Sequence, residues 1–117
     1  MLVVEDDSDI LTLMWEVLQG QGYFVLGAMD GRDGLLQVRA HAPDLVIIDL
    51  MLPILSGIGL ATALRADPRA RAVPLVAISG ALRPLGAARA LFTTFLAKPF
   101  HVKDLLHTVA VALDGEQ

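Results

Sequence analysis

Four short apolar runs, each followed at once by a polar or charged residue, constrain the fold of this chain more than any other feature. They are Leu2-Val3-Val4, Leu45-Val46-Ile47-Ile48, Leu75-Val76-Ala77-Ile78 and Phe95-Leu96-Ala97, and they lead into Glu5-Asp6-Asp7, Asp49, Ser79 and Lys98. Runs this short and this rich in β-branched residues are strands, and their lack of polar alternation means that both faces are covered, as in the centre of a parallel sheet. In an open sheet of that kind the functional edge lies beyond the carboxyl ends of the strands. The acidic cluster, Asp49, the hydroxyl and the ammonium should therefore converge at one edge.

Helical segments fill the intervals. Asp7 or Ser8 can cap a helix running to residue 19, which stops at Gly20-Gln21-Gly22. A second strand over residues 23–28 leads through Asp30-Gly31 into a helix ending near His41. Pro43 and Asp44 introduce the next strand. A helix over residues 58–66 ends at Asp67-Pro68, because the residue before proline disfavours helical ψ. Pro74 opens the fourth strand, and after it Pro84 and Gly86 leave only a weak helix over residues 87–92. A last helix over residues 102–113 carries Val102, Leu105, Leu106, Val109 and Leu113 at helical spacing. This alternation predicts an α/β chain, (βα)5, a doubly wound five-stranded parallel sheet of order 2-1-3-4-5 and flavodoxin-like architecture.

At 117 residues the sequence fits a single domain over residues 1–117. Its limits, at the first strand and just after the last helix, would suit an excised module. The absence of cysteine excludes disulfides, thiolate catalysis and Cys-ligated zinc. A net charge of −4 and a pI near 5.1 argue against direct nucleic-acid binding by this domain, which needs a basic patch. Mean hydropathy is high at +0.60, yet no apolar stretch approaches the ~18 residues of a membrane span. Acidic residues come too early for a signal peptide. A cytoplasmic address and no membrane association are the expectation.

Two carboxylate clusters at one sheet edge repel one another by about 4 kcal/mol at ~4 Å and an effective dielectric of ~20. A hard divalent cation offsets this, with Mg2+ first and Mn2+ second, holding carboxylate oxygens and waters while leaving room for a phosphate oxygen. Together with Ser79 and Lys98, a nucleophilic Asp49 and a metal-binding acidic pair form a set suited to phosphoryl transfer, where developing charge needs cations and donors around it. Asp7 reads better as a helix cap than as a ligand. His41, His101 and His107 lack metal spacing and read as solvated positions. Gly57-Ile58-Gly59 lacks the rest of a nucleotide loop, and Met51 stands where a haloacid-dehalogenase-type hydrolase has its second Asp.

These residues resemble a response-regulator receiver domain, the phospho-accepting half of two-component signalling. The likeness covers nearly the whole chain and rests on Val3-Val4-Glu5-Asp6-Asp7, on Asp49-Leu50-Met51-Leu52-Pro53 with Gly57, on Ser79, and on Lys98-Pro99-Phe100. It implies that Asp49 is phosphorylated, that Asp6 binds Mg2+ directly and Glu5 through water, and that Met51 offers a backbone carbonyl. Ser79 and Lys98 would contact phosphoryl oxygens, the Lys98–Pro99 bond would be cis, and Ser79 with Phe95 would form the switch. Met51 and Ala81 would flank the path of attacking water, and their apolar side chains imply slow loss of the phosphoryl group.

The implied partner is a sensor histidine kinase or a histidine phosphotransfer protein. Homodimer faces would lie on the fourth and fifth helices or on the first. The alternative is a pseudo-receiver that binds partners without phosphorylation, and a small phosphohydrolase ranks third. Two departures stand out: Ser56 replaces the usual Asp or Asn and should cap more weakly, and the segment from Ser79 to Lys98 is about three residues short at the fourth helix. On the first helix Leu11 and Trp15 widen the apolar arc beyond one sheet face, so Trp15 either folds over the rim of the core or offers a contact patch.

Overall fold

A computed structural model of the protein describes residues 1–80 and 86–114. Ala81 and Pro84 lie outside the described residues. The elements run β1 (Leu2–Val4), α1 (Ser8–Gly20), β2 (Leu26–Ala28), α2 (Gly31–His41), β3 (Val46–Asp49), α3 (Gly57–Ala66), β4 (Leu75–Ser79), a 3-10 helix (Gly86–Leu91), β5 (Thr94–Ala97) and α4 (Val102–Asp114). All strand pairs are parallel, in the order β2-β1-β3-β4-β5. This is the doubly wound sheet that the apolar runs predict.

Strand periodicity divides the core into two layers. Val3, Ile47, Val76, Ile78 and Leu96 face α1 and α4, where Met14, Leu18, Leu105 and Val109 meet them. Leu2, Val4, Val46, Ile48, Leu75 and Ala77 face α2 and α3, against Val38, Leu60, Ala61 and Leu64. Burial of each large side chain contributes roughly 1.5–3 kcal/mol. The two layers hold the strand ends in fixed relative positions.

Two elements differ from the sequence expectation. β2 begins at Leu26 rather than residue 23, because α1 side chains take the backbone groups of Val25. Gln19 Oε1 accepts from the Val25 amide at 3.2 Å and the Trp15 indole N–H donates to the Val25 carbonyl at 3.1 Å. Trp15 is thus tied to the edge of the sheet by its indole N–H while its ring stays exposed.

The fourth helix is a 3-10 helix with no buried residue, so among the described residues the fourth βα unit closes on a 3-10 helix and the other units on α-helices. Gly86 enters it at φ 62°, and six residues are too few for propagation to offset nucleation. Arg65 reaches from α3 to hold its end, donating from Nε to the Leu91 carbonyl at 2.8 Å. Among the described residues no helix is long and apolar enough to cross a membrane.

Candidate functional site

The chain moves from β1 outward to β2, then returns past β1 to β3, so strand order reverses between β1 and β3. A crevice opens outside the carboxyl ends of strands at such a reversal. Glu5 follows β1 and Asp49 closes β3. The Glu5 amide donates to the Ala28 carbonyl at 2.9 Å, and the Lys98 amide donates to the Ser79 carbonyl at 2.8 Å, so each polar residue is fixed by pairing that continues the sheet.

Lys98 joins the acids. Its Nζ donates to Asp49 Oδ2 at 2.8 Å and lies 2.9 Å from Glu5 Oε1. Asp49 Oδ1 accepts from the Met51 amide at 3.0 Å, and Glu5 Oε2 accepts from the Asp7 amide at 3.2 Å. Glu5 is 0% exposed, Asp49 3% and Ser79 7%. Asp6 is exposed beside them. Burial pushes the Glu5 carboxyl up to about 7, with the Lys98 ammonium pulling it down and Asp49 adding to the rise. Burial also lowers Lys98, but the negative charge of Asp49 and Glu5 beside it outweighs that and leaves it raised.

Oxygens of Glu5, Asp6 and Asp49 lie within 4.8 Å of one another. Three carboxylates face one ammonium, and Glu5 Oε1, although close to Nζ, has no donor in hydrogen-bond geometry among the described residues. A hard divalent cation fits this set, supplying the missing charge to oxygens that lack enough donors.

The remaining sequence candidates fall as follows. Asp7 Oδ1 caps α1, accepting from Asp9 and Ile10 amides at 2.9 and 3.2 Å. Ser56 Oγ caps α3 by accepting from the Gly59 amide at 3.0 Å, so the cap is made without the usual carboxylate or amide. Gly57 allows α3 to start against Asp49, since a Cβ there would stand 2.6 Å from Leu50 Cα. The Lys98–Pro99 bond is cis. Phe95 is partly buried outside the pocket, its ring 5.7 Å from Phe92 with the Arg89 guanidinium 5.2 Å above it. His41, His101 and His107 are exposed.

Two features escaped the sequence. A cleft of about 420 Å3 beside the site is lined by Ile10, Leu13, Gly80, Lys98, Pro99 and Phe100. Ile10 and Leu13, not Trp15, are the α1 residues that line it, because the apolar arc shows which residues are apolar but not which of them the sheet covers. Ile54 adopts φ 70°, and an isoleucine carries no sequence signal for that conformation.

Comparison with known proteins agrees with this geometry. The DNA-binding response regulator MtrA of Mycolicibacterium paratuberculosis is 35% identical over 112 residues, covering 96% of this chain and 50% of that protein. The chain thus spans about half the length of the curated relatives it matches. Among solved structures, chemotaxis response regulator CheY4 of Vibrio cholerae superposes with a TM-score of 0.88 at 28% identity, over 95% of both chains. The receiver domain of sensor histidine kinase PA1611 of Pseudomonas aeruginosa, solved with magnesium in its active-site cleft, gives 0.85 at 26% identity, over 97% of this chain and 96% of that one. The family profile described as "Response regulator receiver domain" matches residues 1–110, and the chain belongs to that family, the receivers of two-component signalling.

Proposed function

We propose that this receiver accepts a phosphoryl group from a phosphohistidine protein onto Asp49 in a Mg2+-dependent reaction. The observation that carries the reading is the partly buried Lys98 ammonium bridging Asp49 and Glu5 at 2.8 and 2.9 Å, with exposed Asp6 completing an acidic cluster. A carboxylate oxygen of Asp49 attacks phosphorus, and an O–P bond forms as the N–P bond breaks. The electron pair of the broken bond stays on the imidazole, which takes a proton from solvent as it leaves.

Asp6, Asp49, Glu5 and the Met51 carbonyl would hold the cation, which supplies positive charge to the phosphoryl oxygens. The PA1611 receiver, solved with magnesium in its cleft, supports that assignment. Lys98 neutralises charge on the phosphoryl group from the other side, and the Met51 amide orients Asp49. Ser79, at the end of β4, would donate its hydroxyl to a phosphoryl oxygen. The roughly one extra negative charge and new acceptor oxygens then alter the surface through Ser79 and Phe95. In longer proteins like the relatives, that surface would govern a further domain that binds DNA.

Intact mass after incubation with phosphoramidate, with and without Mg2+, tests the reading. One added phosphate that requires Mg2+ and disappears in Asp49→Asn is expected, since an amide is a poor nucleophile. An Asp49→Asn variant that gains phosphate at the unaltered rate overturns the assignment.

A further inference from the structure

Asp49 and Glu5 are oriented in the same way, each by the backbone amide two residues further along the chain. The Met51 amide donates to Asp49 Oδ1 at 3.0 Å, and the Asp7 amide donates to Glu5 Oε2 at 3.2 Å. What else holds the two carboxylates differs. Lys98 Nζ donates to Asp49 Oδ2, whereas it stands 2.9 Å from Glu5 Oε1 without completing a hydrogen bond. Among the described residues the Asp7 amide is therefore the one hydrogen bond that fixes the Glu5 carboxylate, which is fully buried.

Asp7 is in turn fixed by α1. It is the N-cap of that helix, extended at φ −82° and ψ 114°, and its Oδ1 accepts from the Asp9 and Ile10 amides at 2.9 and 3.2 Å. A side chain that satisfies two first-turn amides also immobilises the backbone that bears it. One residue thus ties α1 with its side chain and Glu5 with its backbone. Asp6, the exposed member of the acidic cluster, lies on the chain between Glu5 and this cap.

We propose that Asp7 is a positioning residue for the divalent cation, its cap on α1 fixing both the amide that orients Glu5 and the backbone that carries Asp6. This rests on the reading of Glu5, Asp6 and Asp49 as the Mg2+ site. Asp7 acts through its neighbours, with Oδ1 already committed to α1. When the cap is intact the carboxylates are arranged before the ion arrives. Without it, binding must also order the turn, and that ordering is subtracted from the affinity. The stability that a cap of this kind confers corresponds to about fivefold in a binding constant. A cap with a structural role alone would lower the melting temperature and leave the Mg2+ affinity of the folded domain unchanged.

Titration of the domain with Mg2+ alone, followed by amide resonances at a temperature where the variants are folded, separates the two. Asp7→Ser and Asp7→Asn keep a capping oxygen, and Asp7→Ala and Asp7→Gly do not. All four lose the same charge, so a difference between the two pairs comes from the cap. The Ala and Gly variants should bind Mg2+ about fivefold more weakly than the Ser and Asn variants. Asp7→Gly keeps the test decisive if Asp7→Ala does not fold, because glycine at an N-cap costs a helix little stability yet leaves the turn free to move. Equal affinity in the two pairs overturns the proposal, whether they match the unaltered domain or fall below it together through the lost charge. An unaltered domain that binds no Mg2+ at millimolar concentrations rejects the metal site itself instead.

Discussion

The acidic pocket and the 3-10 helix are held in opposite ways. Glu5, Asp49 and Ser79 are buried at strand ends, their positions set by backbone pairing of β1, β3 and β4, while the acidic groups there outnumber the one ammonium beside them. The 3-10 helix has no buried residue and no charge conflict. It hangs on a few side-chain contacts: Arg65 of α3 at Leu91, its own Arg89 over Phe95, and, just after it, Thr93 Oγ1 accepting from the Leu75 amide at 3.1 Å. A rigid scaffold therefore holds charged groups in tension at the strand ends, and a weakly anchored segment beside it can open at little cost.

The largest effect should come from releasing the tension in the pocket. Without divalent cations, Glu5 is raised from 4.5 to about 7, so between those values the folded protein holds a proton that the unfolded chain has released. The stability from this group is fully present below pH 4.5 and lost as pH rises through 7, by at most about 3 kcal/mol. Denaturation in chelator should show that decline, and Glu5→Gln should flatten it. Saturating Mg2+ should restore about 1–2 kcal/mol at pH 8 by binding the native state alone, and Asp6→Ala should remove most of that gain. Stability at pH 8 indifferent to millimolar Mg2+ would count against a pocket under charge tension.

A smaller loss should follow from cutting the anchor of the 3-10 helix. Besides Leu91, the Arg65 guanidinium donates to the carbonyls of Arg71 and Val73 at 2.8 and 2.6 Å. Burial lowers its pKa but leaves it charged. Arg65→Ala orphans three carbonyls, two of them at part-buried sites, and should cost about 2 kcal/mol because water reaches the loop. Melting should fall by on the order of 10 °C. Arg65→Lys should recover little, since its three donors sit on one nitrogen and cannot span the acceptors that Nε and a terminal nitrogen of the guanidinium serve separately. A full recovery in Arg65→Lys would show that charge, not the fork, holds the segment.

The pocket was far more legible in the sequence than the segment. Apolar runs buried on both faces need no tertiary partner to be read as strands, and their ends deliver Glu5, Asp49, Ser79 and Lys98 to one edge whatever the loops do. The boundary of β2 was not legible, because Trp15 and Gln19 compete for the Val25 backbone from another element. A weak helix over residues 87–92 was legible, but not its 3-10 form, whose end depends on Arg65, and neither was Ile54, whose φ is imposed by neighbours. Local pattern carries what burial decides, and long-range side-chain contacts decide the rest.

The smallest effect tests how little holds the segment to the sheet. An exposed Arg over an aromatic ring contributes roughly 0.5–1 kcal/mol, so Arg89→Ala should lower the melting temperature by only a few degrees. Its effect should be local. Amide exchange in β5 (Thr94–Ala97) should speed up severalfold, while β3 and the core of α1 keep their protection, because opening of the segment does not require the strands beneath to separate. In a Phe95→Leu background, where no ring remains, Arg89→Ala should change nothing further, the coupling being the ring contact itself. Equal slowing or equal speeding of exchange across the whole sheet would mean that the segment and the pocket form one cooperative unit, and the contrast between them would fail.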